Sequence, residues 1–173
     1  MAILALDLAT VTGWALHEEG MEAPFFGSVR FPSIAEENGP TLEGLRVLLG
    51  EKHAAFGLTE IVFEAQHIAD GMGVKNTYKL IGMGTFVEWF AFKIGARCYS
   101  VPIGTWRKHF IGIGNLPREA AKRRCLATCQ RLGWHTMEED AAEACGILDC
   151  YLSMKTNYER PWRDDLLMGG AAR

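Results

Sequence analysis

Four carboxylates at three separated places carry the chemical information of this chain: Asp7, Glu64, Asp140 and Glu143. Asp7 ends an apolar run over residues 2–6, and Glu64 ends Ile61-Val62-Phe63. Asp140 and Glu143 lie three residues apart in an Ala-rich stretch, so they share one helical face. Acids on two strand ends and one helix can converge on a point. No charge partner for Asp7 or Glu64 is evident in the sequence, and such acids held together at neutral pH are costly unless a cation binds them. An all-oxygen set selects hard cations such as Mg2+ or Mn2+. Two ions bridged by a carboxylate suit in-line displacement at phosphorus, one activating the attacking water and the other stabilising the leaving oxygen. The four acids are therefore candidate metal ligands and candidate catalytic residues. A competing role, support of a helix dipole from the first turn, fits Glu138 and Glu139 well, Asp140 less and Glu143 least. Glu143 is flanked by Ala142 and Ala144, whose small side chains let a helix approach a sheet closely. Asp149 lies nine residues past Asp140, about half a turn round the helix, and points elsewhere.

The elements that must position these acids follow from hydrophobic patterning. Residues 2–6 are continuously apolar, as in a strand covered on both faces. Residues 13–16 and 25–31 predict two more strands, and the turn signals at Glu19-Gly20 and Pro24 make the first three a meander. A helix over 41–56 presents Leu42, Leu45, Leu48 and Leu49 on one face. A short strand closes on Glu64, and residues 65–75, with Gly71 and Gly73, form an exposed loop. The helix predicted over 76–94 is apolar all round, through Ile81, Met83, Phe86, Val87, Trp89, Phe90, Phe92 and Ile94. One side can face the sheet and the other a second copy of the chain, which favours a dimer over a helix covered by another helix of its own domain. A fifth strand over 98–101 precedes a short helix over 105–111 and a helix opened by Asn115 and Pro117 that runs to about residue 132. Thr136 and Glu139 form a capping box for a last helix over 137–154. The order predicts a mixed α/β sheet with helices on its faces. Residues 1–155 form one domain, and 156–173 a loosely held tail.

Composition narrows the class. At 173 residues, 49% hydrophobic and 23% charged, the chain matches a single globular domain. Its longest apolar stretches are far shorter than a membrane span. The N-terminus has no basic segment before its apolar run, as a signal peptide would. The five cysteines form no CxxC pair and lack the close ligand spacing of a structural zinc site. They read as reduced, mostly buried thiols of a cytoplasmic protein. The net charge of −3 conceals an asymmetry: residues 107–131 hold seven Lys or Arg against the single acid Glu119. A basic segment beside an acidic cluster suits a polyanion held through metal ions, although a solvated helix face reads the same way.

The residues resemble a known family. ILALDLATVTGWAL is similar to the first strand and hairpin of RuvC-like Holliday junction resolvases, members of the RNase H-like superfamily. IVFEAQ resembles their second acidic strand, YKLIGMGTFVEWFA the long helix after it, VPIGTWRKHFIGIGNLPREAAKRR the passage from fifth strand into a basic helix, and EEDAAEACGILD the terminal acidic helix. No one motif is specific, but the five occur in order from residue 3 to about 150. The resemblance implies an RNase H-like five-stranded mixed sheet, a homodimer, two Mg2+ or Mn2+ ions per site and hydrolytic nicking of branched DNA. It makes Asp7, Glu64, Asp140 and Glu143 the catalytic metal ligands. Lys79, Lys122 and Arg123, with Arg107, Lys108 and Arg118 of the basic segment, become candidate phosphate contacts. Gln66 and His67, just past a catalytic acid, become candidates for contact with DNA at the opened centre of a junction. Trp106 reads as core, and Trp162 has no assigned place. The chain departs from the family at Ala9, where Gly is common, and at Glu143, where Asp is common. Rival readings are an RNase H-like nuclease acting on flaps, single strands or RNA–DNA hybrids, an actin-like phosphotransferase, and a DNA-binding protein with a decayed site. The chain is too short for the duplicated domain of the second, and its four retained acids speak against the third.

Overall fold

The computed structural model describes residues 1–34, 37–66, 73–155 and 160–163. β1 (Ala2–Asp7), β2 (Val11–Glu18) and β3 (Phe25–Arg30) form the expected antiparallel meander. After α1 (Gly39–Phe56), β4 (Leu58–Glu64) enters parallel to β1. α2 (Val74–Ile94) then leads to β5 (Arg97–Val101), parallel to β4. The strand order is β3-β2-β1-β4-β5, a five-stranded mixed sheet with β1 at its centre. α3 (Ile103–Ile111), α4 (Arg118–Arg131) and α5 (Glu139–Ser153) follow in sequence. Among the described residues no helix is long and apolar enough to cross a membrane.

Helices cover both faces of the sheet, and side-chain alternation sorts each strand between two cores. Ala2, Leu4 and Leu6 of β1 join Ile61 and Phe63 of β4 under α1 and α2, against Leu45, Leu49, Met83 and Val87. Ile3 and Ala5, with Val62, face the other way onto Trp106, Cys125, Ile147 and Leu148 of α3–α5. The uninterrupted apolar run of β1 follows from this, because neither face of the central strand meets water. Continuing the alternation carries Asp7 and Glu64 to the α3–α5 side. The parallel pairing of Leu6 with Phe63 sets them next to one another at adjacent strand ends.

α5 comes against the sheet where Gly13 of β2 stands opposite Asp7. A Cβ on Gly13 would lie 1.8 Å from the Asp140 carbonyl oxygen, so only glycine permits this approach. α5 also starts later than the predicted capping box requires. Thr136 Oγ1 accepts the Glu138 N–H at 3.1 Å, and the helix begins at Glu139 with no side-chain cap. A Thr hydroxyl can close a local turn as readily as it caps a helix, and here the turn wins.

Two buried acids fasten the α5 side. Glu60 of β4 accepts from Tyr151 Oη at 2.8 Å and pairs with Lys155 and Arg97. Burial alone would raise its pKa, but the Lys155 and Tyr151 hydrogen bonds and the charges of Lys155 and Arg97 together outweigh burial and lower it. Asp149, fully buried, accepts from Trp162 Nε1 at 2.8 Å, sits 2.9 Å from His109 Nε2 and pairs with Arg163. These partners hold its carboxyl well below the usual range despite burial. The expectation of a loosely held tail therefore does not describe residues 160–163. Trp162 is 5% exposed, edge-on to His17 and Trp134, and residues 161–163 form a helical turn over α5. The rest of the predicted tail, apart from its neighbours in 156–159, is residues 164–173; both stretches lie outside the described residues.

Candidate active site

Asp7, at the end of β1, meets Asp140 and Glu143, from the first two turns of α5. Each offers one carboxylate oxygen to a group in which all lie within 4.8 Å of one another. The i, i+3 spacing on α5 and the glycine contact beneath it make this possible: one helical face carries both acids, and Gly13 lets that face reach the strand end. Asp149, on the same helix, is turned to its own cluster.

Glu64 stands apart from the group of three. Its Oε2 accepts the indole N–H of Trp106 at 2.8 Å. Trp106 is fully buried, as a core residue should be, but its ring edge also holds a site carboxylate. The signal for this was available: a buried tryptophan N–H needs an acceptor, and the nearest acid of the sheet supplies it.

The electrostatics show an excess of negative charge. Burial, then the charges of Glu143, Glu64 and Asp140, push the Asp7 carboxyl well above its ordinary pKa, with Lys122 opposing. Burial raises Glu143, against the attraction of Arg107. Burial also raises Glu64, with the Trp106 hydrogen bond pulling it down. A partly buried, oxygen-only donor set with unneutralised charge fits a hard divalent cation.

The predicted basic residues divide into two groups. Arg107 and Lys122 are buried and already engaged with the acids: Arg107 Nη2 donates to Glu143 Oε1 at 2.9 Å, and Lys122 Nζ donates to Asp140 Oδ1 at 3.1 Å. Lys122 also pairs with Glu139 Oε2 at 3.1 Å, so Glu139 does more than support the helix dipole. As they stand, Arg107 and Lys122 are counter-ions of the acids. Lys108, Arg118 and Arg123 are exposed. Arg118 lies near enough to lower the pKa of both Glu64 and Glu143. Lys79 is half-buried and donates to Thr10 Oγ1 and Ser33 Oγ, both at 3.0 Å. It lines a cleft of about 460 Å³ with Asn38, Lys75, Asn76 and Tyr78. Gln66 Nε2 donates to the Glu64 carbonyl at 3.1 Å, at the end of β4. His67 and Gly71 lie outside the described residues. Gly13 and Glu139 are site residues that sequence reasoning missed, since nothing local distinguishes a strand glycine that a helix will touch.

No family model matches the sequence, and comparison with curated proteins finds no match. Solved structures do match. Thermus thermophilus RuvC aligns with a TM-score of 0.63 at 18% identity, over 89% of this chain and 96% of its own. T. thermophilus RuvC in complex with a Holliday junction substrate aligns at 0.65 and 18% identity, over 85% and 90%. The yeast mitochondrial Holliday junction resolvase Ydc2 aligns at 0.57 and 10% identity, over 96% and 80%. With its central β1, antiparallel meander and acid-bearing last helix, this chain has the RNase H-like fold of RuvC.

Proposed function

We propose that the chain is a divalent-metal-dependent endonuclease that hydrolyses phosphodiester bonds in branched DNA, with the four-way junction as its substrate. The observation that carries this reading is the meeting of Asp7, Asp140 and Glu143 within 4.8 Å on a RuvC-like fold. Asp7, Asp140 and Glu143 would hold two Mg2+ or Mn2+ ions together with Glu64, whose second oxygen remains free of the Trp106 bond. Such ions supply Lewis acidity at phosphorus and lower the pKa of the attacking water.

The chain's own residues do the rest. Trp106 fixes the orientation of Glu64, and Gly13 sets the distance between α5 and β1. Lys108, Arg118 and Arg123 contact phosphates and set the position of the duplex without reading sequence. Lys79 and its cleft take backbone further along the strand. Setting the acids between the sheet and α3–α5, partly out of water, strengthens each charge interaction relative to bulk solvent.

The dimer reading rests on α2. Its inner face is buried through Met83, Val87 and Ala91. Its outer face exposes Tyr78, Ile81, Trp89 and Phe92, the last at 81%. Spacings of three, eight and three residues, the eight being a little over two turns, place these side chains on one stripe. A second copy packed on that stripe would present two acid sites to two strands, as symmetric cutting of a junction requires. All five cysteines are free, in keeping with a reducing compartment such as the cytoplasm.

Asp7→Asn tests the assignment. It should abolish Mg2+-dependent cleavage of a four-way junction and leave binding in Ca2+ intact; retained cleavage sinks the ligand assignment. A panel of junction, flap, single-stranded and RNA–DNA hybrid substrates tests substrate class, and preferential cutting of any but the junction replaces that part of the reading.

A further inference from the structure

The clustered acids already hold cations that the protein itself supplies. Lys122, 8% exposed, reaches from α4 to bridge Asp140 and Glu139, with both oxygens at 3.1 Å. Arg107 covers Glu143 from α3. Counting Glu139, five acids therefore meet two built-in positive charges. Two divalent ions added to that arrangement would leave the site with an excess of positive charge before any phosphate arrives, so full metal loading is unfavourable without DNA.

The two cations differ in what they can do next. The Arg107 guanidinium is a planar fork fixed on one carboxylate and buried under Trp106. Lys122 is a point charge on a flexible four-carbon stem, with three donors that can be redirected. It also lies in the same helix as the exposed Arg118, Arg123 and Arg124, beside the rim acid Glu139. Among the groups that touch the acids, it is the one placed to move to an incoming phosphate.

We propose that Lys122 is a resident counter-ion that keeps Asp140 from binding a divalent ion until DNA docks, its ammonium then passing to a DNA phosphate. This inference rests on the metal-dependent nuclease reading and adds a coupling to it. By linkage, DNA must tighten metal binding by the same factor that metal tightens DNA binding.

The test is calorimetric titration of Ca2+, an ion that should occupy the site without supporting cleavage, into the full chain with and without a four-way junction. For the unaltered protein, the junction should tighten Ca2+ binding by roughly tenfold or more. Lys122→Met should bind Ca2+ more tightly than the unaltered chain in the absence of DNA, with a smaller further gain from the junction. Lys122→Arg, which keeps the charge, should stay close to the unaltered chain without DNA. A lysine that acted only as a fixed nearby charge would, on removal, tighten Ca2+ binding equally with and without the junction, so the smaller junction effect is the readout that separates the two. The inference is overturned if Lys122→Met binds Ca2+ no more tightly, or if the junction leaves the unaltered protein's affinity unchanged. The second arm needs no variant and stands even if Lys122→Met misfolds. If no protein binds Ca2+ under either condition, the metal-site reading falls as well; if all bind equally, only the counter-ion role falls.

Discussion

Adding one methyl group at Gly13 should disable the site from its far side. The substitution Gly13→Ala places a Cβ 1.8 Å from the Asp140 carbonyl oxygen and 2.3 Å from its carbonyl carbon. Real Cβ atoms essentially never come within 3.0 Å of such atoms, so the first turn of α5 must retreat by at least about 1.2 Å. Backbone blocks the methyl group, so no side-chain rotation relieves it. Asp140 rides on that turn, and its oxygen shares a 4.8 Å cluster with Asp7 and Glu143, so the retreat is a quarter of the span. Overpacking of this kind costs about 1–3 kcal/mol, which for a chain of this size lowers Tm by roughly 2–4 °C per kcal/mol. A displacement of about 1 Å costs on the order of 100-fold in rate, so the functional loss should far exceed the loss of stability. The assays are Ca2+ titration, thermal melting and junction cleavage in Mg2+ on one preparation. A folded Gly13→Ala protein that keeps both its metal affinity and its cleavage rate would refute the claim that the β2–α5 approach sets the acid geometry.

Trp106→Phe keeps most of the core volume but removes the N–H that holds Glu64; metal affinity should fall by roughly 10- to 100-fold with circular dichroism unchanged. The metal-free protein should also show an inverted pH dependence of stability. Asp7, Glu64 and Glu143 hold their protons to higher pH in the folded than in the unfolded state. The folded state thus binds more protons from about pH 4 upward to their raised values, and stability falls as pH rises through that interval. Melting should therefore be higher near about pH 5 than near about pH 7.5 without metal, and Ca2+ should reduce or reverse that difference. Glu60 and Asp149, with lowered pKa values, act in the opposite sense only at lower pH, and His17, whose pKa burial lowers, opposes the trend within the interval as one group against three. Trp89→Glu with Phe92→Glu should leave a folded monomer at micromolar concentration by sedimentation; an unaltered assembly would remove α2 as the dimer face.

Much of this architecture is legible from periodicity alone. Unbroken hydrophobicity marks β1 as central, and alternation carries Asp7 and Glu64 to one face. Spacing puts Asp140 and Glu143 on one side of a helix. These are local consequences of residue type, 3.6 residues per helical turn and two per strand repeat, so the chain determines them by itself. The ends of α5 were less legible, since the Thr136 hydroxyl had two comparable uses and tertiary context chose the turn.

What only the tertiary structure decided are contacts between residues far apart in sequence. Trp106 reaching Glu64, Lys122 reaching Asp140, Gly13 beneath α5 and Trp162 on Asp149 carry no local pattern. The basic segment shows the difference most clearly. Its charge was readable, but not its division into exposed arginines and two buried counter-ions. Composition records how many charges a chain holds, whereas their function depends on which opposite charge lies about 3 Å away once the helices have packed.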